Sequence, residues 1–225
     1  DHLYVHPKGA GDLLSAEVAA ARELGMRFHP TRGSMSLSVK DGGLPPDNVV
    51  ADDDEILAAS ELAVATHHDR SHGAMVRIAL APCSPFSVTE ALMVRSAELA
   101  ERLDVRLHTH FAENAEDDEF SLATFGCRPM EYLERTGWCS DRTWVAHCVM
   151  PNAAEIQRLG AAGEDQVGAA AAQFLAGRIE GGERRGTGGI DGVVDAAEIE
   201  AVGDAAGDHV GQHTGEGVLG ERRQP

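Results

Sequence analysis

Apolar and polar positions follow two rhythms along the first two thirds of the chain, one helical and one extended. From Asp12 to Gly25 the apolar residues Leu13, Leu14 and Val18 fall on a helical stripe, Asp12 can cap its start and Gly25 stops its end. Met26-Arg-Phe-His-Pro30 reads as a short strand leading into a loop, Thr31 to Ser34. Ser38 to Val50, with Gly42-Gly43 and Pro45-Pro46, exceeds an ordinary connection and has the length of a functional loop. A second helix opens at Ala51-Asp-Asp-Asp-Glu-Ile, with acids at the positive end of its dipole, and runs to about His68. Met75 to Cys83 reads as a strand broken by Pro82, and Ser87-Val-Thr-Glu90 resembles a cap for a helix continuing to about Leu103. Val105 to Thr109 is the next strand, followed by short helices over about Ala115–Phe125 and Pro129–Thr136. Thr143 to Val149 is the fourth strand, and Pro151-Asn-Ala-Ala-Glu155 opens a helix that ends near Gly160.

Helix and strand thus alternate four times, with strands apolar on both faces, which is the pattern of an α/β fold with a parallel sheet covered by helices. In such folds sites gather at the C-terminal ends of the strands. His29, Cys83, His110 and His147 are each expected at that end of their own strand. No Gly-rich phosphate loop follows any strand, so nucleotide binding has little support. After about Gly163 the character changes. Residues 164–225 hold 14 of the 25 glycines and one aromatic, Phe174, and are too poor in large apolar groups to build a core. The expected division is a structured region, 1–163, and a Gly-rich acidic tail, 164–225, that is disordered or out of frame with its gene.

At 225 residues and net charge −18, with basic residues scattered, the composition argues against nucleic acid or an anionic membrane as partner. No apolar run approaches the roughly 20 residues of a membrane span. The four cysteines form no C-x-x-C pair and read as reduced thiols of a cytoplasmic protein. The first residue is Asp and no signal-peptide layout follows it, so the native start is expected to lie upstream.

The chemistry concentrates in Arg106-Leu-His-Thr-His-Phe-Ala-Glu113 and Trp144-Val-Ala-His147. His108 and His110, two apart on a strand, share a face, and Glu113 follows just past the strand end. Imidazole and carboxylate at neighbouring strand ends suit metal-assisted hydrolysis, with His110 on the metal and Glu113 moving the proton. His147 would ligate the metal or hydrogen-bond the hydroxide, and His108 braces the interior. Zinc takes three protein ligands plus water, so such a site must recruit residues from elsewhere. The cytidine-deaminase pattern is excluded: Pro82-Cys83 is present, but position 86 is Phe and no His-x-Glu occurs.

His108-Thr-His-Phe-Ala-Glu113 followed by Val145-Ala-His147 resembles the fifth and sixth strand motifs of the amidohydrolase superfamily, deaminase and chlorohydrolase branch. Phe28-His-Pro-Thr-Arg-Gly-Ser-Met-Ser36, Leu80-Ala-Pro-Cys-Ser-Pro-Phe-Ser87 and Phe125-Gly-Cys-Arg-Pro129 are similar to bacterial 8-oxoguanine deaminases and their hydroxyatrazine-hydrolase-like relatives. The resemblance covers about 1–163. It implies a partial (β/α)8 TIM barrel, about strands three to six, and one divalent metal, zinc or iron. It further implies hydrolytic deamination of an aminated heterocycle, 8-oxoguanine first and a triazine as alternative. By the same resemblance His110 is a metal ligand, Glu113 the acid/base, His147 the polarising histidine, and His29, Arg32 and Cys83 line the substrate pocket. Full-length relatives are expected to be homo-oligomeric. The family's His-x-His pair after strand one and its aspartate after strand eight have no match here, so the chain is expected to be a fragment, and an inactive truncated product is the competing reading.

Overall fold

The computed structural model describes residues 1–162; the expected tail lies outside the described residues. Its elements in chain order are α1 (Leu13–Glu23), β1 (Thr31–Ser34), α2 (Asp53–His67), β2 (Ala79–Pro82), α3 (Glu90–Leu103) and β3 (Arg106–Phe111). They continue with α4 (Ala115–Phe125), α5 (Pro129–Arg135), β4 (Thr143–His147) and α6 (Ala153–Ala162). The four strands form one parallel sheet in the order β1-β2-β3-β4. The first four helices begin where a polar side chain takes up a free amide of the first turn: Asp12 accepts from Ser15, Asp52 from Asp54, Thr89 from Leu92 and Asn114 from Asp117.

The core is continuous from helix to sheet. Leu92, Met93 and Leu99 of α3 share one cluster with Ile78, just before β2, and with Leu80 and Leu107 of the sheet, and Met130, Tyr132 and Leu133 of α5 with Trp138 extend it. Buried Trp138 donates its indole N–H to the Met93 carbonyl at 2.9 Å, so the ring is satisfied where it packs.

One strand is displaced from its expected place. The apolar run Met26–Pro30 suggests a strand, but Phe28 makes only an isolated bridge to Val76, and Met26 is exposed. The strand is instead the polar segment Thr31–Ser34, paired with Ala79–Pro82. Thr31, Gly33 and Ser34 are buried because the chain passes them on both sides. Thr31 N–H donates to Asp1 O and Gly33 N–H to Leu3 O, so residues 1–3 run alongside β1 in its own direction. A Cβ on Gly33 would meet the Leu3 carbonyl and, at 2.6 Å, the Tyr4 Cα, which is why glycine stands there.

The helical layer is locked by an ion cluster. Arg128 spans both oxygens of buried Glu155 (Nε–Oε1 2.6 Å, Nη2–Oε2 3.0 Å) and Asp118 Oδ2 (2.7 Å). It thereby ties the α4–α5 connection to α6. Breaking one partner of a buried pair costs more than the pair is worth, because the other charge is stranded. Arg128→Leu is therefore expected to destabilise the chain by about 3 kcal/mol, read as a lowered urea midpoint; an unchanged midpoint would show that the cluster is solvated in solution.

Candidate active site

The parallel register sets which residues can meet. Leu80 pairs with Leu107, Leu107 with Thr143 and His110 with Ala146, so Ala79, Ala81, His108, His110, Trp144 and Ala146 share one face. Leu80, Leu107, Thr109, Phe111 and Val145 share the other.

His110 is oriented before any ligand arrives. Its Nδ1 lies 2.7 Å from the Cys83 carbonyl oxygen, which can only accept, so Nδ1 carries the proton and Nε2 keeps its lone pair. The His110 backbone N–H donates to the same carbonyl at 2.9 Å. His108 works the same way with Trp144: its Nδ1 is 3.0 Å from that carbonyl, and its ring stacks on the indole at 4.7 Å. Burial pushes His108 down to about 4.

By alternation His147, level with Phe111, belongs to the other face. The strand ends here in left-handed backbone, φ 70° at His147 and 54° at Cys148, and alternation breaks down. The His147 imidazole consequently stacks on His110 at 5.2 Å between ring centroids. After β3 the chain turns at Ala112, φ 48°, and presents Glu113, whose Oε2 lies 3.5 Å from His147 Nε2.

His110, Glu113 and His147 border one cavity of about 640 Å3, and Cys83 forms part of its wall. Its other sides are largely apolar and aromatic: Tyr4, Leu44, Phe86 and Phe120, with Phe86 and Phe120 edge to face at 4.9 Å. Asp117 closes it beside Glu113. Burial pushes the Cys83 thiol up, so it stays protonated; its carbonyl does the orienting.

Two residues expected in the pocket are elsewhere. His29 precedes β1, because that strand begins at Thr31, and so stands at the N-terminal end of the sheet. It borders a separate cavity there with His68, Arg77 and Arg142. Arg32 lies level with Leu80 on the opposite face from His110, in a third cavity with His6, Asp12 and His67. Both displacements follow from the misplaced strand.

Sequence reasoning missed the segment before α1. The His2 ring stacks on His110 at 4.8 Å and meets His108 edge to face at 4.5 Å, and Tyr4 meets His110 at 5.4 Å. The alternation His2-Leu-Tyr4 was the available signal. Phe86 and Phe120 lie on a loop and a helix face and carried none.

Among the described residues no three His, Cys, Asp or Glu side chains gather to hold a metal ion. His110 fits a ligand's part, since its tautomer leaves Nε2 unprotonated, its other nitrogen is anchored and it borders the cavity; His108 is anchored in the same way but is not among the residues bordering that cavity.

Residues 1–173 match the amidohydrolase family. The chain belongs to the amidohydrolase family. It is 53% identical over 163 residues to an 8-oxoguanine deaminase of Pseudomonas aeruginosa, covering 72% of this chain and 36% of that one. It is 36% identical over 178 residues to a hydroxydechloroatrazine ethylaminohydrolase of a Pseudomonas species, covering 79% and 37%. Its fold matches the zinc-complexed atrazine chlorohydrolase TrzN of Arthrobacter aurescens at TM-score 0.70 and 37% identity, over 74% of this chain and 36% of that one. The amidohydrolase chain thus spans little more than a third of the length of these relatives.

The half-buried imidazoles make the fold pH-sensitive. Burial, with His108 and His110 nearby, pushes His2 down to about 3, and burial pushes His6 and His29 to about 4. An unfolded histidine titrates near 6.5. Between about pH 6.5 and 4 the unfolded chain therefore binds more protons, and stability, fully present above that window, is lost as pH falls through it. The expected loss by pH 5 is roughly 1–2 kcal/mol for each such histidine, read as a lower urea midpoint at pH 5 than at pH 7.5; equal midpoints would contradict it.

Proposed function

We propose that the protein to which this chain belongs is a metal-dependent hydrolytic deaminase of a flat aminated heterocycle, 8-oxoguanine in the first instance. The observation that carries the reading is the meeting of His110, Glu113 and His147 at one cavity, at the ends of adjacent strands. The 53% identity to an 8-oxoguanine deaminase, over a stretch that includes those strands, supports the choice of ring. The cavity volume lies within the roughly 300–1,000 Å3 of small-molecule sites. Aromatic walls from Tyr4, Phe86 and Phe120 suit a planar ring better than a flexible chain.

The net reaction replaces a ring C–NH2 by C=O, consuming one water and releasing one ammonia. A divalent metal, zinc as in the related chlorohydrolase, would supply Lewis acidity and a water of lowered pKa. His110 would hold it through Nε2, together with residues outside those described. Glu113, half exposed to the cavity, accepts the proton of the attacking water and delivers it to the departing amine. His147, 3.5 Å from that carboxylate, is placed to donate a hydrogen bond to the developing oxyanion. Phe86 and Phe120 keep bulk water from the reacting face.

A second reading, release of an alkylamine from a hydroxylated triazine, has its support in the 36% identity to the ethylaminohydrolase. One experiment addresses both. Residues 1–163 replace the matching segment of the P. aeruginosa 8-oxoguanine deaminase, and the zinc-loaded chimera is assayed for ammonia and alkylamine; the chain alone is assayed beside it. Ammonia from 8-oxoguanine is expected, falling by a factor of about 10² or more in Glu113→Gln. Alkylamine release with no ammonia would favour the triazine reading, and a folded, zinc-loaded chimera inert to both would sink the deaminase. Turnover by the chain alone would end the reading of it as an inactive truncated product.

A further inference from the structure

We propose that Asp117 is a positioning residue that fixes Glu113 by accepting a hydrogen bond from the Glu113 backbone N–H. The inference rests on the reading above for the importance of Glu113, but the geometry stands independently. Glu113 is the last residue before the cap of α4. Asn114 Oδ1 accepts from Asp117 N–H at 3.1 Å, and Asp117 Oδ2 accepts from Glu113 N–H at 2.8 Å. In a reciprocal helix cap, the third helical residue's carboxylate returns to the cap residue's own amide. Here the bond reaches one residue further back, to the residue that carries the proton.

Three observations say that this bond fixes the Glu113 backbone from which the side chain reaches the cavity. The Glu113 side chain is half exposed and meets His147 only at 3.5 Å, too long to fix it. On its other flank the backbone passes through left-handed Ala112, a turn that must be held from outside. Asp117 itself is buried in the wall of the same cavity, an environment that raises its pKa and is costly for a carboxylate that makes no bond. A bond from an amide to a charged acceptor is stronger than a neutral one, so this contact is a firm anchor for a loop residue.

The test reads amide hydrogen exchange residue by residue in the chain as purified, so a preparation without turnover decides it equally well. Asp117→Leu removes the acceptor, Asp117→Asn keeps an acceptor oxygen, and Asn114→Ala weakens the same helix cap while leaving the Asp117 carboxylate. The expected result is exchange at Glu113 about 10- to 100-fold faster in Asp117→Leu, restored to within about threefold in Asp117→Asn, with Leu107–His110 of β3 unchanged. In Asn114→Ala the first turn of α4 should loosen while Glu113 stays slower than in Asp117→Leu. Wild-type exchange at Glu113 in Asp117→Leu, or an equal rise in Asn114→Ala, would overturn the proposal by reducing Asp117 to an ordinary capping residue. Should Asp117→Leu expose β3 as well, Asp117→Ser, polar but too short to reach Glu113, takes its place with the same criteria. Because no catalytic rate enters, failure here leaves the deaminase reading standing, and failure of that reading leaves this result intact.

Discussion

The site depends on one register. β2 and β3 pair so that Cys83 and His110 fall level just past the paired residues, and only then can one carbonyl receive both the His110 amide and its ring N–H. A slip of one residue would turn His110 to the opposite face and send Phe111 in its place. The register is held by the core on the far side, where Leu80, Leu107 and Phe111 are buried. Packing of apolar side chains on one face thus sets the tautomer of an imidazole on the other.

Beyond the strand ends the chain accepts backbone strain. Ala112, His147 and Cys148 all lie in the left-handed region without being glycine, each costing on the order of 1–3 kcal/mol. The ends of β3 and β4 offset this by bonding to each other: Cys148 N–H to Phe111 O, Val149 N–H and Met150 N–H to Ala112 O. The Arg128–Glu155 pair then pins α6, the helix that follows β4, to the α4–α5 connection. Groups held this way need not reorganise when charge develops beside them, which is the physical content of preorganisation.

How legible this was depends on what each residue does. β3 and β4 stood out because apolar positions crowd their strands, and His110, Glu113 and His147 lie at or just past the ends of those strands. The family could be read for the same reason. β1 was hidden because Thr31, Arg32, Gly33 and Ser34 look like a loop; burial there follows from close passage of residues 1–4, a tertiary fact without local hydrophobic signal. That one error carried His29 to the wrong end of the sheet and Arg32 to the wrong face. The aromatic walls were invisible, since Phe86 and Phe120 meet only when loop and helix are in place. Asp117 was visible in principle, three residues after Asn114, but the spacing alone speaks of a helix cap and says nothing of Glu113.

The two ends of the sheet use the same residue types for opposite purposes. At the N-terminal end, Arg142 pairs with Asp104, Arg70 donates to the Leu103 carbonyl, and His68 Nδ1 lies 3.0 Å from the Ile78 amide nitrogen and 3.1 Å from its carbonyl oxygen, bonding one or the other according to its tautomer. These polar groups bond one another and the backbone, and so hold the strand starts together. At the C-terminal end, His110 is satisfied at one nitrogen only, and Glu113 and His147 face a cavity with contact too long to quench either. Incomplete satisfaction is tolerable there because the backbone, not the side chains, fixes the geometry. Placement separates the histidines of the two ends: His110 borders the cavity with Glu113 and His147, whereas His68 holds the backbone of Ile78 where the strands start.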